Sequence, residues 1–335
     1  MTTSTTTRTP TNLFTGFLGV GKTTAILHLL RHKPAHEKWA VLVNEYGEVG
    51  IDGALIEGDS PDGVVVREVG GGCFCCTTAP YLPVALHFLF VDAKPDRLLI
   101  ETSGLGHPAG IIDTLLANYA DRLDLRATIG IVAPADVACP GMAENPVFRD
   151  QVQMADVLVL NKSDTATPAI MVEFQTWANG LFPPKLLIAA TQQGQLDPAW
   201  LDLTPRGELF QIFHSTHHAE REVLGLHAKR EEYSAEPHQP LRYATPDSTT
   251  AACGWVFHPD DVFDEERLLA FFADYPSIYR LKGVFHVKHE WIAVNRAASS
   301  VAVGVSAYRR DSRVEVFAND VNWQEFEAGM LACLE

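Results

Sequence analysis

The chain has 335 residues, 47% of them hydrophobic and 20% charged, which is enough to bury the cores of two domains. The 26 Lys and Arg and 42 Asp and Glu residues give a formal net charge of −16. This balance argues against a chain-wide surface for nucleic acid or anionic membrane, because phosphate contacts need clustered basic residues. The longest strongly apolar stretch, residues 82–91, is shorter than the roughly 20 residues of a membrane helix.

The amino terminus and the cysteines indicate the cellular compartment. Residues 1–10 are rich in Ser and Thr without an apolar core, so we expect a disordered tail rather than a secretory signal. Three of the six cysteines lie within residues 73–76, too close to pair comfortably with one another, and the others are scattered. A disulfide framework is therefore not expected, and the chain fits a reducing cytoplasm.

Short apolar runs alternate with helical stretches through the first two hundred residues. The predicted helices include 22–32 and 108–120, and the predicted strands are 12–15, 39–44, 63–68, 97–101, 127–133, 156–161 and 186–190. Several strands are apolar throughout, as expected where both faces of a sheet are covered. Residues 11–213 are therefore predicted to form an α/β domain with a doubly wound, mostly parallel sheet.

The composition changes after this domain. Residues 214–250 are polar and contain five histidines, and we interpret them as a solvated linker. Low-affinity metal collection by His214, His217 and His218 is the alternative. Residues 251–335 contain strand and helix patterns in an order that predicts a smaller α+β domain with an antiparallel sheet.

The segment "GFLGVGKTT", residues 16–24, has the pattern G-x-x-x-x-G-K-T between a predicted strand and a predicted helix. Glycines let the backbone wrap around a phosphate, so that amide groups and the helix amino terminus point at it. The lysine neutralises the β- and γ-phosphates and the following threonine binds Mg²⁺. The residues predicted to bind phosphate and Mg²⁺ are Gly16, Gly19, Val20, Gly21, Lys22, Thr23 and Thr24.

Two further motifs follow predicted strands. In "NKSD", Asn161, Lys162 and Asp164 are predicted to select guanine, because the Asp164 carboxylate can accept hydrogen bonds from N1–H and the 2-amino group. In "ETSG", Glu101 is a candidate for holding Mg²⁺, directly or through water, and Gly104 for presenting its amide to the γ-phosphate. Lys22, Thr23, Glu101 and Gly104 are therefore the predicted catalytic set.

The motif "CFCC" places Cys73, Cys75 and Cys76 after a predicted strand, at the sheet edge where parallel sheets bind ligands. Thiolates favour zinc or Cu(I), and tetrahedral zinc needs a fourth ligand. Ordinary buried cysteines and a thiol-redox pair are the alternatives. The candidates for the fourth ligand are Glu45, Glu48 and His107.

Taken in order, "TGFLGVGKTT", "VLVNEYGEVGID", "GGCFCC", "ETSGLGHPA" and "NKSD" resemble the CobW-type GTPases, and within them the YeiR-like zinc-binding subgroup. "RLKGVF" at 280–285 resembles the carboxyl-terminal domain of the same family. The resemblance implies that the cysteine motif binds zinc beside the nucleotide and that Glu45 and Glu48 lie in a segment associated with switch movement and metal. Many members of this family carry a dense His-x-His tract, whereas the histidines of residues 214–250 are sparse.

The expected function is a cytoplasmic GTPase that uses GTP, Mg²⁺ and Zn²⁺ to bind zinc and transfer it to an unidentified client metalloprotein. A homo-oligomer is compatible with this function. The alternatives are a nickel- or cobalt-insertion GTPase, a phosphate-loop kinase, and a non-catalytic zinc buffer or sensor whose nucleotide site is vestigial. Three thiolates favour zinc over nickel, which often recruits more histidine.

Overall fold

The computed structural model describes residues 8–43, 63–68, 82–204, 235–244, 251–275, 277–288, 290–297, 300–318 and 321–335. The chain divides into two compact units: Met1–Leu181 with Lys185–Pro205, and Phe182–Pro184 with Arg206–Glu335. Among the helices in these described ranges, none combines the length and the apolar character needed to cross a membrane.

The first unit is built on one eight-stranded sheet whose described strand pairings are all parallel. The path through the sheet runs β3-β2-β4-β1-β6-β7-β8, and β5 pairs with β1. The phosphate-binding motif therefore follows a central strand. The strands are β1 (Thr9–Thr15), β2 (Trp39–Val43), β3 (Val64–Glu68), β4 (Arg97–Glu101), β5 (Leu123–Leu125), β6 (Ile129–Val132), β7 (Val157–Leu160) and β8 (Leu187–Ala190).

Helices connect these strands, and polar caps set where several of them begin. Asn145 accepts hydrogen bonds from two first-turn amides of the fifth helix, and Thr167 caps the sixth. A proline follows each cap, at the first helical position, where a backbone N–H would have no acceptor within the helix. The helices are α1 (Lys22–Arg31), α2 (Leu82–Phe88, continued by a π-helix to Ala93), α3 (Ala109–Tyr119), α4 (Pro134–Val137), α5 (Pro146–Met154) and α6 (Pro168–Asn179).

Apolar side chains cover both faces of this sheet. On one face Ile26 and Leu29 of α1 belong to a cluster with strand residues such as Val41. On the other, Phe148 of α5 and Phe174 of α6 cluster with residues of β6 and β7. Burial on both faces explains the continuous apolar runs of the strands.

The prediction of a mostly parallel sheet with helices on both faces is confirmed. The predicted strands agree with the structure within a few residues, but β5 was not predicted and β1 begins earlier, at Thr9. The three-residue β5 is too short to show a periodicity, so the sequence pattern did not reveal it. Because β5 pairs with Thr9 to Thr11, it also extends β1 toward the amino terminus.

The second unit contains a six-stranded sheet in the order β13-β12-β11-β14-β10-β9, and its described strand pairings are antiparallel. This agrees with the predicted α+β domain. Residues 241–244, inside the predicted linker, form a strand of this sheet, while 205–234 and 245–250 lie outside the described residues. The elements are β9 (Leu241–Ala244), β10 (Ala251–Val256), α7 (Glu265–Ala273), β11 (Ile278–Val287), β12 (Glu290–Ala297), β13 (Ser300–Val305), β14 (Arg313–Ala318) and α8 (Trp323–Leu331).

An aromatic core joins the two helices of this unit to its sheet. Trp255 of β10 and Phe285 of β11 are fully buried, together with Phe272 of α7 and Phe326 of α8. Cys253 belongs to the same core, and burial raises the pKa of its thiol to about 12. Cys253 is therefore a packing residue with little thiolate character.

Glu315 of β14 is a half-buried carboxyl whose register partners are Lys282 on β11 and Gly254 on β10. Burial raises its pKa to about 7, and the charges of Arg280 and Lys282 oppose that rise only in part. The pKa in the fold thus exceeds that of an unfolded carboxyl, so the folded state binds more protons between about pH 4.5 and 7. This carboxyl makes its full contribution to stability below that range, and the contribution is lost as the pH rises through it.

Replacing Glu315 with glutamine is therefore expected to stabilise the second unit above pH 7, by on the order of 1–3 kcal/mol after allowing for solvent screening. Below about pH 4.5 the two proteins should differ little. Urea unfolding of the wild type and Glu315→Gln at pH 5 and pH 8 measures this difference. Glu290→Gln, at an exposed position of β12, is the control. An equal pH dependence in the wild type and Glu315→Gln would contradict the assignment.

Candidate functional site

The loop between β1 and α1 has the backbone shape that the glycine pattern predicts. Gly16, Gly19 and Gly21 have φ angles of 145°, 73° and 100°, which side-chain-bearing residues rarely adopt. A Cβ on Gly16 would lie 2.2 Å from the carbonyl oxygen of Ile131. Gly21 is the amino-terminal cap of α1, and no side chain caps this helix. The first-turn amides thus receive no side-chain cap at the positive end of the helix dipole, an arrangement suited to binding an anion.

Lys22 is buried and its side chain folds back along the loop. Its ammonium nitrogen donates hydrogen bonds to the carbonyl oxygens of Gly16, at 3.0 Å, and Phe17, at 3.2 Å. These carbonyls solvate the charge inside the protein. The same ammonium is in place to exchange carbonyl oxygens for phosphate oxygens.

Thr23 and Glu101 meet beside this loop. The Thr23 hydroxyl donates to Oε1 of Glu101 at 2.8 Å, and Glu101 is fully buried. The contact follows from the sheet, because β4 lies beside β1 with Glu101 in register with Phe14. A hydroxyl and a carboxylate are the hard oxygen ligands that Mg²⁺ prefers, so the donor set fits this ion.

The loop that follows β4 lies directly against the phosphate loop. A Cβ on Gly104 would lie 3.0 Å from both the nitrogen and the Cα of Leu18. On the side of α5, Gln151 Nε2 donates to the carbonyl oxygens of Gly104, at 3.1 Å, and Gly106, at 3.2 Å. Sequence reasoning missed Gln151, because the spacing of a single glutamine on a helix carries no signal of its partner.

His107, a candidate zinc ligand, has a side-chain partner in the structure. Its Nδ1 lies 2.7 Å from Oδ2 of Asp150, the neighbour of Gln151 on α5. The imidazole side chain is 44% exposed. The role of His107 as a metal ligand stays a prediction.

The "NKSD" segment is joined to the phosphate loop by hydrogen bonds. Asn161 is buried and donates to the carbonyl oxygen of Val20 at 2.8 Å. The Lys162 ammonium donates to the carbonyl oxygen of Gly19 at 2.8 Å. Asp164 is exposed in a one-turn 3₁₀ helix, Ser163–Thr165, which follows β7. Asn161 and Lys162 thus set the distance between the phosphate loop and Asp164.

Asp136 of α4 is a second acid near Lys162 that sequence reasoning missed. It accepts a hydrogen bond from the backbone amide of Ala133 at 2.8 Å. Burial raises the pKa of Asp136, and this hydrogen bond and the nearby Lys162 charge oppose the rise. Asp136 therefore lies near enough to Lys162 for their charges to influence one another.

Gly194, in the loop after β8, also belongs to this site. Its amide donates to Oδ1 of Asn161 at 3.0 Å, so Asn161 bridges this loop and the phosphate loop. A Cβ on Gly194 would lie 2.7 Å from the backbone nitrogen of Ala25 in α1. The signal in the sequence was a glycine in the polar turn after the predicted strand 186–190.

Most of the predicted zinc site lies outside the described residues, namely Glu45, Glu48, Cys73, Cys75 and Cys76. The strands that lead to these segments are described. In register, Val43 at the end of β2 pairs with both Glu68, the end of β3, and Glu101. The chain therefore enters both segments from the sheet edge that carries Glu101.

The described part of the chain holds no group of three or more His, Cys, Asp and Glu side chains that could bind a metal. Three cysteines are described as free thiols: Cys139 is exposed, while Cys253 and Cys333 are buried. The "CFCC" motif lies outside these residues, and zinc binding there stays a prediction.

Two family models match the chain. The CobW/HypB/UreG nucleotide-binding domain matches residues 10–183. The cobalamin synthesis protein CobW carboxyl-terminal domain matches residues 252–334. The chain belongs to the CobW family. The resemblance predicted from the five motifs is thus confirmed, and the first unit has a GTPase-type fold.

Relatives of this CobW-family chain carry zinc in their names. It is 40% identical to the zinc chaperone YeiR of Escherichia coli over 329 residues, which span 96% of this chain and 97% of YeiR. It is 36% identical to the zinc chaperone YjiA of Escherichia coli over 164 residues, 47% of this chain and 50% of YjiA. The solved structure of zinc-bound YjiA covers 98% of this chain and all of that chain, with a TM-score of 0.44 and 17% identity.

Proposed function

We propose that this CobW-family chain is a cytoplasmic GTPase whose nucleotide state controls the binding of zinc and its delivery to a client metalloprotein. The observation that carries the proposal is the shared sheet edge. Glu101 contacts Thr23 of the phosphate loop, and its strand lies beside β2, which is paired with β3. The chain leaves β2 and β3 toward the predicted zinc ligands at this edge. The relatives named zinc chaperones support the same function.

Each part of the described site has a role in GTP hydrolysis. The first-turn amides of α1 bind the β-phosphate, and the Lys22 ammonium neutralises charge on the β- and γ-phosphates. Thr23 and Glu101 would hold Mg²⁺, which when bound neutralises the charge that develops on the phosphate oxygens. The backbone amide of Gly104 donates a hydrogen bond to the γ-phosphate, and Asp164 selects the guanine base. The reaction is the cleavage of the β–γ anhydride by water.

Coupling to zinc requires that the nucleotide change the geometry of the thiolates. GTP contacts the loop after β4, and β4 pairs with β2, so ordering this loop alters the edge from which the zinc-binding segments emerge. GDP lacks the γ-phosphate and loses that contact. Zinc is thus bound with different affinity in the two nucleotide states, and by linkage zinc must change nucleotide affinity equally.

A zinc titration of GTP hydrolysis tests this coupling. Under reducing conditions and at GTP concentrations below KM, we expect zinc to change the affinity for GTP, and with it the hydrolysis rate of the wild type, by about fivefold or more, the lower end of ordinary allosteric couplings. The variant with Cys73, Cys75 and Cys76 all replaced by serine should hydrolyse GTP at a rate independent of zinc. Lys22→Ala, which removes the phosphate-binding charge, provides the inactive control.

Other outcomes would point to other functions. Equal responses to zinc in the wild type and the triple variant would show that the thiols are not coupled to the nucleotide. Normal zinc delivery by Lys22→Ala would indicate a zinc buffer or sensor. A preference for nickel or cobalt in metal competition would indicate insertion of one of those metals.

A further inference from the structure

Helix α5, next to the candidate nucleotide site, is anchored by hydrogen bonds at both ends and by apolar packing. Asn145 caps its amino terminus, accepting from the amides of Val147 and Phe148. At the other end, the Lys185 ammonium donates to the carbonyl oxygens of Val152 and Ala155, each at 2.7 Å. Buried apolar residues of the helix pack into the core. A side chain anchored on α5 can therefore fix the position of whatever it binds.

Gln151 lies on α5 and is almost completely buried, with 1% of its surface exposed. Its amide group uses Nε2 to donate to two carbonyl oxygens of one loop, those of Gly104 and Gly106. Two hydrogen bonds from one rigid amide fix both the position and the orientation of the loop. The neighbouring Asp150 adds a contact with His107, at the end of the same loop.

The loop that Gln151 binds is a hydrogen-bonded turn, and this fixes the direction of the Gly104 N–H. The amide of Gly106 donates to the carbonyl oxygen of Ser103 at 3.1 Å, which closes the turn. In a trans peptide the N–H points opposite to the C=O, so the amide of Gly104 points away from the inside of the turn. A Cβ on Gly104 would lie 3.0 Å from the Cα of Leu18, so the backbone of the phosphate loop passes close to this turn. Gln151 and the phosphate loop therefore enclose this turn from two sides.

We infer that Gln151 is a positioning residue for GTP hydrolysis. Its amide holds the turn 103–106 so that the Gly104 N–H is directed at the site of the γ-phosphate. The inference rests on the proposed GTPase function and adds to it the residue that positions the Gly104 amide, the group that distinguishes GTP from GDP. GDP makes no contact with the Gly104 amide, so the binding of GDP does not depend on Gln151.

The test compares Gln151→Leu, which removes both donors, and Gln151→Glu, which keeps the shape and places a second acceptor against the carbonyls. We expect kcat for GTP to fall about tenfold or more, because a mispositioned stabilising donor costs at least that much. Affinity for a non-hydrolysable GTP analogue should fall by a similar factor, while affinity for GDP stays within about twofold, or roughly 0.4 kcal/mol.

Val152→Ala is the matched control. Val152 is the next residue of α5 and is buried in the core, so its truncation destabilises the same helix without touching the turn. This variant should lose stability and keep the ratio of GTP-analogue to GDP affinity. That ratio therefore separates positioning from a loss of folding.

Three results would overturn the inference. If both Gln151 variants keep the wild-type kcat and affinity ratio, Gln151 does not position the turn. If the Gln151 variants lose stability and their affinities for GDP and for the analogue fall by the same factor, the role of Gln151 is structural. A wild type that does not hydrolyse GTP would overturn the proposed function, and this inference with it.

Discussion

Replacing Asp164 with asparagine is expected to change the preferred base from guanine to xanthine. The carboxylate accepts hydrogen bonds from N1–H and the 2-amino group of guanine, whereas an amide offers one acceptor and one donor. Xanthine keeps N1–H and carries a carbonyl oxygen at position 2, so it matches the amide. Loss of a charge-assisted pair costs about 3 kcal/mol, or roughly 100-fold in affinity for GTP.

Competition between GTP and XTP for the wild type and Asp164→Asn measures this exchange. Asp121→Asn is the charge-matched control, since Asp121 is exposed and precedes β5, at the opposite edge of the parallel sheet. The exposed position of Asp164 after the hydrogen-bonded Asn161 and Lys162 is the reason for the prediction. If the ratio of GTP to XTP affinity stays unchanged, Asp164 does not read the base.

Replacing Gly194 with alanine is expected to destabilise the first unit by about 3 kcal/mol and to weaken nucleotide binding. The residue has a φ of 67°, a left-handed conformation that costs an L-residue roughly 1–2 kcal/mol. The new Cβ would also lie 2.7 Å from the nitrogen and 2.9 Å from the Cα of Ala25, both backbone atoms that cannot rotate away. Relief of this overlap shifts the first turn of α1, which carries Lys22 and Thr23, two of the predicted phosphate- and Mg²⁺-binding residues.

Urea unfolding and GTP binding of Gly194→Ala test both parts of the prediction. Gly110→Ala is the matched control, because a Cβ on Gly110 in α3 meets no atom within 4 Å and its φ is not positive. We expect that control to keep wild-type stability or to gain a few tenths of a kcal/mol. Equal stabilities for the two variants would show that α1 yields to the added methyl group.

Most of the candidate nucleotide site could be proposed from the sequence because its chemistry lies in contiguous segments. Residues 16–24 contain the loop, the lysine and the threonine, and residues 161–164 contain the acid predicted to read the base. The conformation of Gly16, Gly19 and Gly21 is a local property of the backbone. The contact of Thr23 with Glu101 was predictable less directly, since it depends on β1 and β4 being neighbours in the sheet.

Gln151, Asp136 and Gly194 could not be assigned to the site in this way. Gln151 and Asp136 lie in the connection between β6 and β7, and Gly194 follows β8. Gln151 and Gly194 bond to residues remote in the chain, and the charge that acts on Asp136 is that of Lys162, beyond the next strand. A buried glutamine on an amphipathic helix has the same spacing whether it binds a loop or stabilises a core. Only the packed positions of α5 and the loops show which carbonyl or amide each residue meets.

The sequence by itself determined the strand and helix types, the glycine-dependent loop between β1 and α1 and the candidate for the base-reading acid, because these depend on apolar period, on backbone freedom and on functional groups within a few residues. The tertiary structure decided which segments share an edge of the sheet. Strand order is set by burial of apolar faces contributed by distant parts of the chain, which no local pattern encodes. That order places Glu101 beside Thr23 and Gln151 beneath the turn that contains Gly104.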